Sequence, residues 1–421
     1  MSAAGMAVEN PASNVADSAA DIAALDALCC VRPRLVGLSP AGSVIDFPAR
    51  TLLHAGPPFP KGVSVPAPVL NSAAAAVVFE GWAQNHAEAL KQLVTGDLRL
   101  APAQDYRCAV PLASVLSPTQ QLQRVEDAEG RARAAFAPLN GGNGPALRLG
   151  LPGPEVVAHL RWLNGPFANA IRPACERGLD LLSIVDEALA AGDDCHGRTQ
   201  AATSRVLAAL ALDLSQPGAA EATRFLEVSP SFFLNVWMAG VKCILGSAEG
   251  FDSSTVVTAM GGNGIEMGVQ LSGAPGRRCV PPSSPPTGRL EDGIDSADRL
   301  PAIGDSALIE AFGLGAMAFA HSPLQMQALG AYLTEPPAQL AVELLARVHP
   351  ALVRSQARVG MTARRVVATR KLPAVALGII DKLGQRGRIG GGIWHASVAH
   401  FASALHLISP IPVSLTKKES P

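Results

Sequence analysis

Residues 258–273 read TAMGGNGIEMGVQLSG and follow a β-branched run at residues 254–259. β-Branched residues favour strands, so we predict a strand that enters this glycine-rich segment. Its five glycines would let backbone N–H groups approach an anion, and a hairpin without a ligand is the alternative. The segment matches neither GxGxxG in a βαβ setting nor GxxxxGK[ST], so we predict no nucleotide site of those types. Its polar residues Asn263, Glu266 and Ser272 are candidates for ligand binding.

On either side of this segment, strand-like and helical stretches alternate. Residues 34–38 form a short apolar run between prolines, which predicts a strand, and residues 155–212 are rich in Ala and Leu at helical spacing. Residues 280–305, rich in Pro, Ser and Asp, predict a long loop, and the glycines at 390–392 a tight turn. We therefore predict an α+β, multi-domain chain. Its expected parts are a disordered tail (1–20), an N-terminal α/β domain (21–150), a helical region (151–230), a glycine-rich α/β domain with the ligand site (231–335) and a C-terminal helical region (336–421).

The composition argues against several classes of protein. There are 34 Lys and Arg against 35 Asp and Glu, without a basic block, so nothing predicts nucleic-acid binding. Apolar stretches are shorter than the roughly 20 residues that cross a bilayer, and the N-terminus lacks a secretion signal. We expect a cytoplasmic protein with no membrane span. A content of 48% hydrophobic and 16% charged residues predicts surface buried between subunits, and hence an oligomer.

The cysteines predict neither disulfides nor a metal site. The chain has seven, an odd number, and no CxxC pair. Reduced, buried thiols are the usual state in the cytosol. No metal and no cofactor are predicted.

The segment GDDCHGRT at residues 192–199 concentrates ionisable groups in an otherwise apolar chain. His196 could exchange a proton near neutral pH, and Arg198 could hold a carboxylate or phosphate in bidentate fashion. The alternative is a helix end at which the Asp residues cap the next helix while His and Arg make local bonds.

The segment GDSALIEAFGLG at residues 304–315 places Asp305 and Ser306 where the long loop meets an apolar helix. Either side chain could cap that helix, and the helix start also offers N–H groups to an anion. Glu310 is expected on an exposed or ligand-facing side of the helix.

The segment RTLLHAGP at residues 50–57 is a fourth candidate, because Arg50 and His54 precede a loop constrained by Gly and Pro. A lone histidine there is more often a structural group than a catalyst.

Together these segments resemble the DUF1116 family, whose members are similar to this chain over residues 25–407. The motifs in register are RTLLHAGP (50–57), GDxxHxR (192–198), FFLN (232–235), TAM to NGxE (258–266) followed by VxxSG, and IGDS (303–306). The resemblance implies the family's α+β, multi-domain architecture.

The resemblance also implies a function in oxamate carbamoyltransferase. That enzyme transfers a carbamoyl group between oxalurate and phosphate, giving oxamate and carbamoyl phosphate in allantoin breakdown. A chain of this family is expected to work beside a succinyl-CoA-synthetase-like subunit and a third subunit, on a small anionic carbamoyl or ureide substrate and phosphate.

Such anions need fixed cations, N–H donors and a proton-transfer group. We therefore expect His196 or Glu266 to transfer the proton, and Arg198 and Arg50 to clamp anions. The full set of expected site residues is His196 and Glu266 as catalytic groups, with Arg50, His54, Arg198, Asn263, Ser272, Asp305 and Ser306 in substrate binding.

Two other functions are compatible with the same residues. One is hydrolysis of a ureide or cyclic amide, in which water replaces phosphate. The other is a non-catalytic scaffold that organises the succinyl-CoA-synthetase-like partner.

Overall fold

The computed structural model describes residues 16–142 and 144–408. Helices make up 43% and strands 21%, the strands in several small sheets, so the α+β prediction is confirmed. Most of the predicted tail, residues 1–15, lies outside the described residues. The last two residues of this tail, 19 and 20, belong to a helix that begins at Ala19. The Ser18 hydroxyl accepts a hydrogen bond from the Asp21 backbone and caps that helix.

The helices are distributed along the whole described part of the chain. In chain order they are α1 (Ala19–Cys30), α2 (Ala41–Val44), α3 (Ala67–Phe79), α4 (His86–Thr95), α5 (Pro154–Trp162), α6 (Ala168–Cys175), α7 (Leu181–Ala190), α8 (Gln200–Leu210), α9 (Ala219–Glu227), α10 (Phe232–Ser247), α11 (Leu308–Phe312), α12 (Pro323–Leu329), α13 (Pro337–Leu344), α14 (Ala363–Thr369) and α15 (Val398–Ile408).

The strands pair mostly antiparallel. They are β1 (Pro33–Pro40), β2 (Thr51–His54), β3 (Arg99–Pro102), β4 (Val115–Leu116), β5 (Gln121–Asp127), β6 (Ala135–Pro138), β7 (Leu179–Asp180), β8 (Val257–Asn263), β9 (Met267–Leu271), β10 (Arg278–Cys279), β11 (Thr287–Leu290), β12 (Ile303–Gly304), β13 (Leu345–Val348), β14 (Arg358–Met361), β15 (Ala374–Ile380) and β16 (Arg388–His395). The sheet orders are β6-β5-β1-β7, β10-β9-β8-β12, β11-β16-β15, β13-β14 and β3-β2-β4. Only β2 and β3 pair in parallel among the described strands.

Helix α10 occupies the centre of the largest hydrophobic cluster. Thirteen of its 16 residues are buried, and Phe233 and Trp237 are fully buried. It packs against β1, β5 and β6 of the first sheet and against β8 of the second. Buried residues of α1 and of α15 both belong to this cluster, so distant parts of the chain share a core.

The glycine-rich segment forms a β-hairpin, β8 and β9, whose glycines permit close backbone packing. A side chain on Gly262 would collide with the Ala302 carbonyl oxygen, and one on Gly56 would collide with the backbone of Gly262. These glycines therefore bring the loop after β2 and the segment before β12 against the hairpin, and protein backbone occupies the space that an anion would need.

The C-terminal region is not wholly helical, which corrects the prediction for residues 336–421. It contains four strands, β13 to β16, beside helices α13 to α15. Residues 390–392 lie inside β16, paired to β11 on one side and β15 on the other, and do not form a tight turn. A side chain on Gly392 would lie 2.7 Å from the Thr287 carbonyl oxygen, so close strand packing explains these glycines.

The predicted long loop at residues 280–305 also contains regular structure. It includes β11, which forms the edge of the sheet with β16, and β12, which pairs with β8. Pairing with distant strands imposes these elements on a segment whose composition is typical of loops.

In the described part of the chain, no single helix is long and apolar enough to cross a membrane. Helices α9 and α10 reach the required length only as a pair, and they are bent by 86° at their junction.

Candidate functional site

A buried ion pair joins His196 and Glu310. The imidazole Nδ1 lies 2.7 Å from Glu310 Oε1 and 2.9 Å from Oε2. Burial by itself lowers the pKa of His196, but the ion pair and hydrogen bond with Glu310 and the nearby Asp194 outweigh it, and the pKa rises above the usual 6.5. Because Nδ1 is held by the carboxylate, Nε2 is the nitrogen left for a ligand.

The loop between α7 and α8 positions His196. Asp194 Oδ1 accepts hydrogen bonds from the backbone N–H groups of His196 (2.6 Å) and Arg198 (3.3 Å), which folds the loop into a turn. Cys195 takes a left-handed conformation, with φ of 64°, at that turn. Asp193 accepts a hydrogen bond from the Ala202 backbone inside α8. The two Asp residues therefore order the loop and the helix start, whereas His196 reaches a residue 114 positions away.

Glu310 is held by two further hydrogen bonds and by a glycine. Its Oε1 also accepts from the backbone N–H groups of Ala316 and Ala376, each at 3.1 Å. Gly315 has φ of +64°, and a side chain there would overlap Glu310 Oε1 and press on His196. Charge-assisted hydrogen bonds of this kind fix the carboxylate and, through it, the imidazole.

His196 faces a cavity of about 200 Å³ that contains two arginines. Arg148 is half-buried and donates to Asn140 Oδ1 (3.1 Å) and to the Gly142 carbonyl (2.8 Å). Arg388 is exposed at the mouth and donates to the Gly390 carbonyl at 2.9 Å. Neither arginine forms a salt bridge with a carboxylate in residues 16–142 or 144–408.

The two arginines also repel each other. Burial, and then the charge of Arg388, lowers the pKa of Arg148 to about 10. Two like charges at one cavity, without a neutralising acid, favour an anion between them. The cavity is therefore suited to a small carboxylate or phosphate.

A second, more open cavity of about 430 Å³ adjoins the first at Arg388. The inner cavity, which His196 lines, and this outer cavity share Gln325, Leu329, Arg388 and Gly391. The outer one adds Arg289 of β11 and two acids, Glu291 and Asp292. Strand β11, in the segment expected to be a loop, thus lines the approach to His196.

Of the residues predicted from sequence, His196 and Ser306 line the inner cavity. Asp305, next to Ser306, instead accepts from the backbone N–H groups of Gly56 and Val110 and from Gln104 Nε2. Asn263 donates to the Pro57 carbonyl and accepts from the backbone of the hairpin turn. The side chains of Asp305 and Asn263 are therefore occupied by holding the loop after β2 against the hairpin.

The other predicted residues lie outside the inner cavity. Arg50 is exposed and donates to Gln92 Oε1 at 2.5 Å. His54 stacks on Phe59, with ring centroids 4.3 Å apart, and burial lowers its pKa to about 4. The remaining three are Arg198, 3.4 Å from Asp193 Oδ1, Ser272, fully buried, and Glu266, part-buried with a raised pKa caused by burial.

Three groups of the site are absent from the set predicted from sequence: Glu310, which holds His196, and Arg148 and Arg388, which line the cavity. Glu310 was detectable as the one acid in the apolar run 307–320, since a charge in such a helix needs a buried partner. Arg148 and Arg388 carry no local signal, because nothing nearby in sequence indicates that they meet at one cavity. The described residues contain no cluster of three or more His, Cys, Asp or Glu that could hold a metal ion.

Two buried carboxyls near the site predict how stability depends on pH. Burial raises the pKa of both Asp194 and Asp305 to about 6, although hydrogen bonds from N–H groups oppose it. These pKa values are higher than the 3.8 of an aspartate in the unfolded chain, so the folded protein binds the two protons more tightly. Stability from these groups is greatest at low pH and is lost as pH rises from about 4 to 6, by on the order of 3 kcal/mol for each group.

Urea unfolding of wild type and Asp305→Asn at pH 4, 5, 6 and 7 checks this expectation. The variant should be less stable to urea at every pH. Its amide nitrogen would face the Val110 N–H, and two donors cannot hydrogen-bond to each other. Its stability should nevertheless fall less steeply between pH 4 and 6. Equal slopes in the two proteins would contradict the assignment to Asp305.

The fold and site define an α+β protein whose buried His–Glu pair faces a cavity suited to small anions. Residues 98–306 match the family described as oxamate carbamoyltransferase subunit AllG. The chain is 31% identical to the Escherichia coli K12 protein of that name, over 93% of this chain and 97% of the relative. It is therefore a member of the AllG family.

Two further proteins are similar over nearly the whole chain. Uncharacterized protein YahG of Escherichia coli K12 is 28% identical over 95% of this chain and 89% of its own length. A conserved protein of unknown function from Enterococcus faecalis V583, known from its crystal structure, is 27% identical with a TM-score of 0.84, over 92% of this chain and 96% of that one.

Proposed function

We propose that this chain is a catalytic subunit of an oxamate carbamoyltransferase and that the reaction takes place at the His196 cavity. The observation that carries the proposal is the buried His196–Glu310 pair beside two arginines that have no acidic partner in the described chain. Membership of the AllG family supports the choice of reaction. The substrates are oxalurate and phosphate, both small anions.

The reaction requires one proton to move. An oxygen of hydrogen phosphate attacks the carbamoyl carbon of oxalurate, and the bond from that carbon to the central nitrogen breaks. The phosphate proton ends on the leaving nitrogen, so the products are carbamoyl phosphate and oxamate. An amide anion is a poor leaving group, so the nitrogen must be protonated as the bond breaks and oxamate leaves as the neutral amide. His196 Nε2 is the group that we assign to this transfer, with Glu310 stabilising the imidazolium.

The two arginines suit the two anions. Arg148, deeper in the cavity and fixed by Asn140, is assigned to the carboxylate of oxalurate. Arg388, shared with the outer cavity, is assigned to phosphate entering from that side. The hydroxyl of Ser306, which lines the inner cavity, is a donor for the charge that develops on the carbamoyl oxygen.

The complex is the expected working form. The relative's name describes a subunit, which supports partner chains for this protein too. We propose a succinyl-CoA-synthetase-like subunit and a third subunit as these partners. The partner subunits would then cover the open outer cavity, exclude water from it and complete the phosphate site.

The test is phosphate-dependent cleavage of oxalurate by the chain co-purified with its partners. Formation of carbamoyl phosphate only when phosphate is present supports transfer. Cleavage that proceeds without phosphate would replace it with ureide hydrolysis. Full activity of a complex that contains His196→Ala would make this chain a scaffold.

Arg148→Ala is expected to lower kcat/KM for oxalurate by roughly 10- to 100-fold, since a hydrogen bond to a charged group contributes about 1.5–3 kcal/mol. Arg148→Lys should recover only part of it, because lysine lacks the planar fork. Exposed Arg161→Ala is the matched control. Arg198→Ala gives a second comparison: an effect of Arg198→Ala larger than that of Arg148→Ala would move the anion site to the Asp193 side of the loop.

A further inference from the structure

A separate cavity of about 330 Å³ lies between the first and second sheets, beside α10. Its lining comes from the segment after β3, from β6, from α10 and from the hairpin with β10. It shares no lining residue with the His196 cavity. Nothing in the proposed reaction uses it.

This cavity carries an excess of positive charge. Four of its lining residues are cations (Arg107, Arg133, Lys242 and Arg278), and two are acids (Asp105 and Glu249). Both acids are already paired: Arg278 lies 2.5 Å from Asp105, and Lys242 lies 3.2 Å from Glu249. Arg107 and Arg133 form no salt bridge within the described part of the chain. In a protein of net charge −1, two positive charges are thus concentrated without a counterion at one cavity.

The cations are held in place by the protein. Arg107 donates to the Ala134 carbonyl at 2.8 Å and lies over the Phe136 ring, 5.7 Å from its centroid. Burial, and then Arg133, lowers the pKa of Arg107. Lys242 is only 5% exposed, and its partner Glu249 Oε1 is shared with Gln270 Nε2 at 3.2 Å. Because the Lys242 ammonium is nearly buried and its partner Glu249 is also bound by Gln270, a further anion would stabilise it.

Gln104, a further lining residue of this cavity, has a hydrogen-bond acceptor that the described protein leaves without a partner. Gln104 is only 6% exposed, and its Nε2 donates to Asp305 Oδ1 (2.7 Å) and to the Met260 carbonyl (3.2 Å). Both partners are oxygens, so the amide nitrogen must face them. Gln104 Oε1 is then buried with no partner among the described residues. A ligand that carried an O–H or N–H donor beside its negative charge would satisfy it.

We propose that this cavity binds a phosphate group that carries a hydrogen-bond donor, with Arg107, Arg133 and Lys242 on its oxygens and Gln104 Oε1 on the donor. Hydrogen phosphate has such a donor in its hydroxyl, and carbamoyl phosphate has one in its amide. Sulfate has the charge but no donor at neutral pH. The shared chemistry is therefore a protonated or amide-bearing phosphate.

The experiment is titration calorimetry of the full chain with inorganic phosphate, carbamoyl phosphate and sulfate. An Arg148→Ala/Arg388→Ala background removes the arginines of the His196 cavity, so that binding there does not interfere. We expect this background to bind phosphate, and sulfate roughly 10-fold more weakly, since one hydrogen bond to a charged group is lost. Tighter binding of carbamoyl phosphate than of inorganic phosphate would identify the acyl phosphate as the ligand, and the reverse order would identify phosphate itself.

Adding Arg107→Ala and Arg133→Ala should weaken phosphate binding by roughly 100-fold or more, because two charged hydrogen-bonding groups are removed. Arg161→Ala in the same background is the control for loss of a surface charge. Unchanged binding after removal of Arg107 and Arg133, or equal binding of sulfate and phosphate, would overturn the proposal. Oxalurate cleavage is measured separately, so failure here leaves the proposed reaction at His196 untouched.

Discussion

Replacing His196 with alanine is expected to lower phosphate-dependent oxalurate cleavage by roughly 10²- to 10⁴-fold, the usual contribution of a positioned acid–base group. The imidazole is the group assigned to proton transfer, and its Nδ1 is fixed 2.7 Å from Glu310 Oε1. The measurement is kcat and KM of the complex with its partner subunits. Because the proposal concerns the chemical step, the loss should be in kcat more than in KM.

Two companion variants separate chemistry from folding. In His196→Asn the amide nitrogen takes the place of Nδ1 and can still donate to Glu310, so this variant should fold and assemble yet be as inactive as His196→Ala. Added imidazole should restore part of the activity of His196→Ala, because the space left can hold the missing base. His86→Ala, at the start of α4 and outside the cavity, is the matched histidine control. Full activity in His196→Asn would show that no proton passes through this side chain.

The pH profile gives a further readout of the same assignment. The pKa of His196 lies above 6.5, because Glu310 and Asp194 outweigh the effect of burial. Hydrogen phosphate must first give its proton to the neutral imidazole in oxalurate cleavage, so we expect the rate to rise as pH increases through that pKa. The reverse reaction, from oxamate and carbamoyl phosphate, returns the same proton through the neutral imidazole, so we expect its rate to rise over the same range.

Gly315→Ala is expected to abolish most of the activity without contacting any substrate. A methyl group there would overlap Glu310 Oε1, so the carboxylate must move and the imidazole loses its fixed partner. The left-handed conformation at φ +64° adds a cost of about 1–2 kcal/mol for alanine. We expect a loss of roughly 10²-fold in kcat, in the range found when partners of a functional group are removed.

Gly130→Ala is the matched control for this variant. Gly130 has φ of +71°, but a side chain there would meet nothing within 4 Å, so it tests the backbone strain alone. Urea unfolding of both variants measures the stability cost, and the activity of the assembled complexes measures the effect on the site. If Gly315→Ala and Gly130→Ala lose equal activity, the geometry of Glu310 does not matter to the reaction.

Much of the architecture could be predicted from local patterns. The strand entering the glycine-rich segment, the helices between α5 and α8 and the α+β class follow from periodicity and β-branched residues. Glycines were the main source of error. A run of glycines indicates a tight turn when read alone, but residues 390–392 lie in a central strand, where β11 approaches Gly390 and Gly392 too closely for side chains.

The residues of the candidate site could likewise be predicted only in part. His196 could be proposed from sequence because ionisable groups are dense in residues 192–199 of an apolar chain. The structure places Arg198, Asp305 and Asn263 in contacts with the protein itself, with Asp193, the Gly56 loop and the hairpin turn. The polar residues that order a loop are of the same types as those that bind a ligand. Only their partners in the folded structure distinguish the two roles.

By itself, the sequence determined the α+β class, the family and the choice of His196, because these depend on residue types and on spacing along the chain. Tertiary structure decided the partner Glu310, 114 residues away, and the meeting of Arg148 with Arg388 at one cavity. Those contacts result from the packing of α11, β16 and the loop before α8 around one core. Local propensities extend over a few residues. The role of a charge that is buried or without a counterion depends on which groups the folded chain places beside it.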